Sequence, residues 1–137
     1  MALAFSDEWA RAWGAALNAS ELYRNVAASW EGSIVALAKD GNGEPPVAVY
    51  LDPWHGRCRE ARQATPADLD AADFVIEASP RAWRELLDGR VAPLTALMTG
   101  RIRLTRGEFG KLLPHAGSAK ELVALAGSVP TEFPAGW

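Results

Sequence analysis

Few side chains in this sequence can ligate a metal or form a cross-link. Its 137 residues include one cysteine, Cys58, and two histidines, His55 and His115. One cysteine excludes an internal disulfide framework and fits a reducing compartment. A catalytic zinc normally takes three protein ligands. These three side chains could supply them in number, but no paired ligand motif supports a site, and we expect no metal.

The sequence also lacks a basic excess and a long apolar run. Lysine and arginine total 14 against 17 acidic residues, for a net charge of −3. Nucleic-acid binding needs a concentrated basic face, and the arginine clusters at positions 57–62 and 101–106 are short. No uncharged apolar run approaches the roughly 20 residues of a membrane span. Because the N-terminus meets Asp7 and Glu8 before any basic residue, it is unlike a signal peptide. We expect a soluble, cytoplasmic protein that binds no nucleic acid.

The motifs of several common enzyme classes are absent. The sequence contains no Gly-x-Ser-x-Gly nucleophile elbow, no Walker loop and no Gly-x-Gly-x-x-Gly fingerprint. The carboxylates of Asp68, Asp70 and Asp73 lie in a polar stretch, which we interpret as a loop with nothing apolar nearby to raise a carboxyl pKa. These absences favour a protein that is not an enzyme.

One turn does concentrate reactive side chains. Pro53 and Gly56 predict a tight turn within Asp52-Pro-Trp-His-Gly56, and the segment Trp54-His55-Gly56-Arg57-Cys58 continues it. An Asp52–His55 acid–base pair, or a Cys58 thiolate beside Arg57, would make this turn a small active site. We keep that enzyme as an alternative to a purely structural turn.

Apolar and aromatic bulk is what the sequence has in quantity. Hydrophobic residues make up 49% of the chain, and six tryptophans are spread along it. A chain of this length can bury one sizeable core, so we expect residues 1–137 to form one domain. Tryptophan rings have a large apolar body and one N–H that needs a partner. They fill a thick core or form the walls of a cavity.

Helical signals lie at both ends of the chain. Ser6 predicts the cap of a helix over 6–18, and Ser20 the cap of a short helix with Leu22, Tyr23 and Val26 inward. Ser79-Pro80 opens a third helix that Gly89 stops, and Pro93 a fourth that Gly100 closes. A short helical turn carries Phe109, Leu112 and Leu113. Ser118 and Glu121 predict a capping box that starts the last helix.

Between these helices the apolar period changes to that of strands. The pattern predicts a central strand over 30–39, strands over 47–51, 74–78 and 102–106, and a weak edge strand over 58–65. The Asp40-Gly-Asn-Gly43 stretch is the strongest turn signal and joins the first two strands as a hairpin. We predict an α+β fold, a five-stranded, mostly antiparallel sheet covered by short helices.

The second half of the chain resembles the sterol carrier protein 2 lipid-binding domain family. The resemblance rests on Phe74-Val-Ile-Glu-Ala-Ser-Pro-Arg-Ala-Trp83, on Leu86 to Pro93, and on Ala96-Leu-Met-Thr-Gly-Arg-Ile-Arg-Leu104. Trp83, Leu86, Gly89, Pro93, Ala96, Gly100 and Ile102 fall in register on the family pattern. The helix-then-hairpin order of the first half fits the family as well.

This resemblance implies a sheet and helices around a hydrophobic tunnel that carries a fatty acid, a fatty acyl-CoA or a sterol-like lipid, without cofactor or catalysis. Carried over by segment, the tunnel lining would be Leu94, Leu97, Met98, Leu104, Phe109, Leu113, Leu122 and Leu125. An acidic head group would need a cation near the mouth, for which Arg101, Arg103 and Arg106 are the candidates. Transient contact with a membrane or an acyl donor would load the ligand. A second class of function is a stand-alone assembly domain that forms a homodimer and carries no lipid.

Overall fold

Seven strands and seven helices make up the fold in this computed structural model, which describes residues 1–40 and 43–137. In chain order they are β1 (Ala2–Leu3), α1 (Asp7–Ala19), α2 (Glu21–Val26), β2 (Ile34–Ala38), β3 (Val47–Trp54), β4 (Arg57–Gln63), α3 (Pro66–Ala71), β5 (Phe74–Ala78), α4 (Pro80–Leu87), α5 (Pro93–Met98), β6 (Arg103–Arg106), α6 (Phe109–Leu112), α7 (Ala116–Ser128) and β7 (Thr131–Glu132), with a 3₁₀ turn at Leu113–His115 before α7.

Five of the strands form one mixed sheet in the order β4-β3-β2-β5-β6. Strand β2 is central: it pairs antiparallel with β3 and parallel with β5, and the outer pairs β3–β4 and β5–β6 are antiparallel. The predicted α+β fold, the hairpin and the edge position of the strand predicted over 58–65, which is β4, are therefore confirmed. The predicted turn at 40–43 includes residues 41 and 42, which lie outside the described residues.

Both faces of the sheet are buried, one against a large apolar cluster and the other against a small one. Ile34, Ala36 and Ala38 of β2 belong to the large core that the helices cover, whereas Val35 belongs to a smaller cluster on the opposite face. That second cluster is closed by Leu69 of α3. On the larger side, α7 contacts each of the helices α1, α2, α4 and α5, and α1 also contacts α2. We therefore expect any cavity large enough to hold a ligand to lie between α7 and the sheet.

The tryptophan N–H groups in this core are satisfied by specific acceptors. Nε1 of Trp9 donates to Thr131 Oγ1 at 2.9 Å, and those of Trp13 and Trp83 donate at 2.9 Å to the carbonyls of Leu122 and Leu37. The C-terminal tail docks in the same region, with the Trp137 ring 5.3 Å from that of Phe5 and β7 paired parallel to β1. Most of the tryptophan rings therefore pack in the hydrophobic core.

Three local predictions were wrong. Leu22 and Val26 of α2 are exposed, at 57% and 39%, and of the three side chains expected inward only Tyr23 is buried. The last helix begins at Ala116, so Ser118 lies in its first turn and donates to the His115 carbonyl instead of forming a capping box with Glu121.

The third error concerns the stretch of Asp68, Asp70 and Asp73, which is partly helical. Helix α3 starts in a capping box in which Thr65 and Asp68 satisfy each other's backbone amides. Asp68 also accepts two hydrogen bonds from Arg62, at 2.6 and 3.0 Å. These bonds and those from Thr65 hold the pKa of Asp68 well below its usual range.

No helix in residues 1–40 and 43–137 is long and apolar enough to cross a membrane.

At Gly14, helix α1 lies close against the sheet. A Cβ built on Gly14 would come within 2.5 Å of the Ala61 Cβ in β4, whereas a Cβ on Gly117 in α7 would meet nothing within 4 Å. We expect Gly14→Ala to lower the free energy of unfolding by about 1–3 kcal/mol, because the helix must shift from the sheet. Gly117→Ala, the matched control, should leave it unchanged or raise it by up to about 1 kcal/mol. Urea denaturation measures both, and equal effects would contradict the close-packing account.

Candidate functional site

A small apolar cavity of about 60 Å³ lies between α7, α5, α2 and the inner face of the sheet. Its walls are almost entirely hydrocarbon and aromatic. The lining residues are Tyr23, Trp30, Ile34, Pro53, Ile76, Pro93, Leu94, Leu97, Ile102, Leu112, His115, Ser118, Ala119, Leu122 and Val123. A site of this composition attracts apolar groups and offers little to a charged one.

The cavity exists because short elements and small side chains meet there. Helix α5 has six residues, begins at Pro93 and is followed by Gly100 in the left-handed conformation, with φ of 76°. On α7, the residues facing the cavity include Ser118 and Ala119, which are too small to reach the opposite wall. Larger apolar residues follow one turn later, at Leu122 and Val123. The helix therefore covers the sheet without filling the space beneath its first turn.

The structure places three of the eight predicted lining residues in the cavity: Leu94, Leu97 and Leu122. Leu104 and Phe109, together with Leu97 and Met98, line a separate surface groove beside β6. Leu125 is half-buried against the main core without lining the cavity. Met98 and Leu113 project from the surface, 71% and 51% exposed.

Five of the other twelve lining residues come from parts of the chain that the segment mapping did not use: Tyr23, Trp30, Ile34, Pro53 and Ile76. Ile34 and Ile76 point inward from the paired strands β2 and β5, where they are two registers apart. Their position on one face follows from the two-residue period of a strand. Tyr23 and Trp30 come from α2 and from the segment just before β2, and no periodic pattern indicates that they approach α7.

Two polar side chains in the lining lack a hydrogen-bond partner among the described residues. The Tyr23 side chain is 2% exposed, and its hydroxyl is one of the two; burial raises its pKa well above the usual range, so it remains protonated. The His115 ring is the other. By contrast, Trp30 Nε1 donates to the Gly32 carbonyl at 2.9 Å. Of Tyr23 and His115, the half-buried His115 ring is thus the one that lines both the cavity and a groove outside it.

Trp30 and His115 also face a second space. They line a solvent-open groove of about 720 Å³ together with Ser29, Glu31, Gly32, Trp54, Asp73, Phe74, Gly107, Glu108 and Lys111. Their rings meet edge to face, with centroids 5.0 Å apart. This pair is thus a one-layer wall between the apolar cavity and a polar groove at the end of the sheet where β2 and β5 begin.

The reactive side chains of the turn at residues 52–58 do not come together in one site. Asp52 accepts from Arg59 at 3.0 Å, and His55 Nε2 lies 2.6 Å from Glu31 Oε2. Cys58 is buried, its Sγ donates to the Glu60 carbonyl at 3.2 Å, and burial raises its pKa to about 11. Each group has a structural partner of its own, which disfavours the acid–base and thiolate hypotheses.

Two of the three arginines predicted as head-group cations form ion pairs with acidic side chains. Arg101 forms an ion pair with Glu85, and Arg103 one with Glu77. Neither these two nor Arg106 lines the cavity. In the described part of the chain, no three His, Cys, Asp or Glu side chains are grouped so that they could hold a metal ion.

Comparison with known proteins gives one family and several related structures. The sequence pattern of the SCP-2 sterol transfer family matches residues 14–108. A crystal structure of a sterol carrier protein 2 is 44% identical, covers 92% of this chain and 98% of its own, and superposes with a TM-score of 0.82. No curated protein matches the chain.

Two further structures are similar in fold. The solution structure of a conserved hypothetical protein from Thermus thermophilus, described as possibly a sterol carrier protein, is 42% identical over 93% of this chain and 90% of its own, with a TM-score of 0.83. Apo sterol carrier protein 2 from Yarrowia lipolytica covers 86% of this chain and 88% of its own at a TM-score of 0.58. Its 17% identity supports the fold alone.

Cys58 provides a test of the structural interpretation of the turn. Because burial disfavours its thiolate, we expect an aromatic disulfide reagent at pH 8 to modify Cys58 at least about 100-fold more slowly in the folded protein than in urea. An absorbance time course measures both rates. Equal rates in the two conditions would show an accessible, activated thiol and would restore the enzyme alternative.

Proposed function

Because this chain belongs to the SCP-2 sterol transfer family, a family of lipid-binding and lipid-transfer proteins, we propose that it binds an apolar ligand in the cavity beneath α7. The ligand would be a fatty acid, a fatty acyl-CoA or a sterol-like lipid, held without chemical change. Residues 1–137 would act as one domain in doing so. We propose Leu94, Leu97 and Leu122 as contacts, and Trp30, Ile34 and Ile76 as further ones.

The apolar cavity is the single observation that carries this proposal. Burial of a methylene group contributes about 0.8 kcal/mol. About ten methylenes would therefore supply about 8 kcal/mol, which corresponds to micromolar affinity before the cost of ordering the chain. No head-group contact is needed for binding of that strength, which suits walls that offer hydrocarbon on nearly every side.

The cavity must widen to accept such a ligand. Small-molecule sites usually measure about 300–1,000 Å³, several times the 60 Å³ of this one. The half-buried Leu94, Leu97 and Leu122 lie on α5 and α7, and α5 has no side-chain cap at its start. A short uncapped helix that is half exposed is the element we expect to move aside.

A second candidate function is assembly or surface docking. It is favoured by the exposed Met98 beside the groove of Leu97, Leu104 and Phe109. The same apolar surface would serve a homodimer or a brief contact with a membrane or an acyl donor. Native mass spectrometry separates the two functions, because bound lipid mass indicates carriage and a dimer free of lipid indicates assembly.

Filling the cavity tests the proposed carriage. We expect the wild type to bind a neutral fluorescent arylamine probe saturably at micromolar concentration and to release it to fatty acids, acyl-CoA or sterols. Ala119→Leu places a larger side chain against the cavity and should weaken probe binding at least about tenfold. The matched control on the same helix is Ala124→Leu, at an exposed position that does not line the cavity.

The control should bind the probe as the wild type does, and circular dichroism should show that both variants remain folded. Absence of saturable binding in the wild type would contradict lipid carriage. Equal binding by the two variants would place the ligand elsewhere on the protein.

A further inference from the structure

The wall between the cavity and the polar groove consists of Trp30 and His115. These two side chains differ in how strongly they are held in place. Trp30 is 6% exposed and its indole N–H is bound to the Gly32 carbonyl. His115 is half-buried, lies in the 3₁₀ turn just before α7, and its ring is held by no hydrogen bond among the described residues. Rotation of His115 would break its edge contact with Trp30 and no hydrogen bond among the described residues. It is therefore the side chain that can open the cavity to the groove.

The other surface beside the cavity is less suited to a polar group. The groove beside β6 shares Leu97 and Ile102 with the cavity, and Ile102 is 2% exposed. Its one charged lining residue, Arg103, is already paired with Glu77. An amphiphile with its tail in the cavity needs water and hydrogen-bonding groups at its head, and these are found on the Trp30–His115 side.

The groove on that side is acidic. Glu31, Asp73 and Glu108 line it against one ammonium group, that of Lys111. Glu31 is bonded to His55, and Asp73 accepts at 2.9 Å from the Ser33 amide and at 3.2 Å from its hydroxyl. Among the side chains that line the groove, three carboxylates face one lysine ammonium group. A carboxylate or phosphate head placed there would meet net repulsion, whereas a hydroxyl or an amine would not.

We propose that the ligand passes between Trp30 and His115 and leaves its polar group in this acidic groove, so that the site selects amphiphiles with an uncharged or cationic head against anionic ones. The inference rests on the proposed function and narrows its three ligand classes to the sterol-like lipid, whose head is uncharged. The free His115 ring is the hydrogen-bond partner for the head.

Head-group selection is tested with three ligands of one medium chain length: a primary alcohol, a primary amine and a carboxylate. Each displaces the neutral arylamine probe from the wild-type protein at pH 7 and low salt. We expect the alcohol and the amine to bind at least about tenfold more tightly than the carboxylate. Added salt should reduce this ratio, because it screens charges in a solvent-open groove.

Variants that remove carboxylates test whether the acidic groove is the cause of head-group selection. The double variant Glu31→Gln/Glu108→Gln should tighten carboxylate binding severalfold relative to alcohol binding, because it removes two carboxylates that line the groove. Its matched control, Glu8→Gln/Glu44→Gln, removes two exposed carboxylates that line neither the cavity nor the groove, and should preserve the ratio. Circular dichroism checks that each variant is folded.

The outcomes separate the two proposals. If no ligand displaces the probe and the probe itself does not bind, the proposed function fails, and this inference with it. If all three ligands bind with equal affinity, or if the carboxylate binds best, carriage stands and head-group selection is overturned. A ratio that the Glu31 and Glu108 variant leaves unchanged also overturns it, because the head would then lie outside the groove.

Discussion

The incompletely filled space between α7 and the inner face of the sheet is the constraint on which the rest of this structure depends. Atoms that line an empty cavity lose their dispersion partners on one side, at a cost of about 24 cal/mol per Å³. For 60 Å³ the cost is about 1.4 kcal/mol, which a well-anchored fold can tolerate. The tryptophan anchors Trp9, Trp13 and Trp83, each bonded to a distant element, provide that rigidity. A ligand that fills the space would recover the lost contacts.

The fold was largely predictable because its signals are local. Ser6, Ser20 and Ser79 cap helices as expected, and Gly89 and Gly100 end them in the left-handed conformation. The errors occurred where the surrounding structure overrides the local pattern. The Ser118 and Glu121 pair has capping-box spacing, but the chain is already helical at Ala116 because it enters α7 directly from the 3₁₀ turn. Likewise, Tyr23 alone of the apolar residues of α2 faces the core.

The site was less predictable than the fold, for a geometric reason. Apolar residues of the second half were assigned to one tunnel by segment, yet the structure divides them among the cavity, the groove beside β6 and open surface, as Leu122, Phe109 and Met98 illustrate. Which of two apolar residues on a short helix points inward depends on how the helix crosses the sheet. The contribution of Trp30 was invisible to sequence patterns because it depends on a long-range approach to His115.

The six indole N–H groups offer the most direct test of the claim that an apolar chain occupies the space beneath α7. In a ¹H–¹⁵N spectrum each tryptophan gives one resolved reporter, and of the six only Trp30 lines the cavity. Addition of a medium-chain alcohol that carries a nitroxide at its tail should broaden the Trp30 indole signal strongly. Those of Trp54 and Trp137, outside the cavity, should broaden much less. Uniform broadening of all six signals, or none at saturating ligand, would contradict this account.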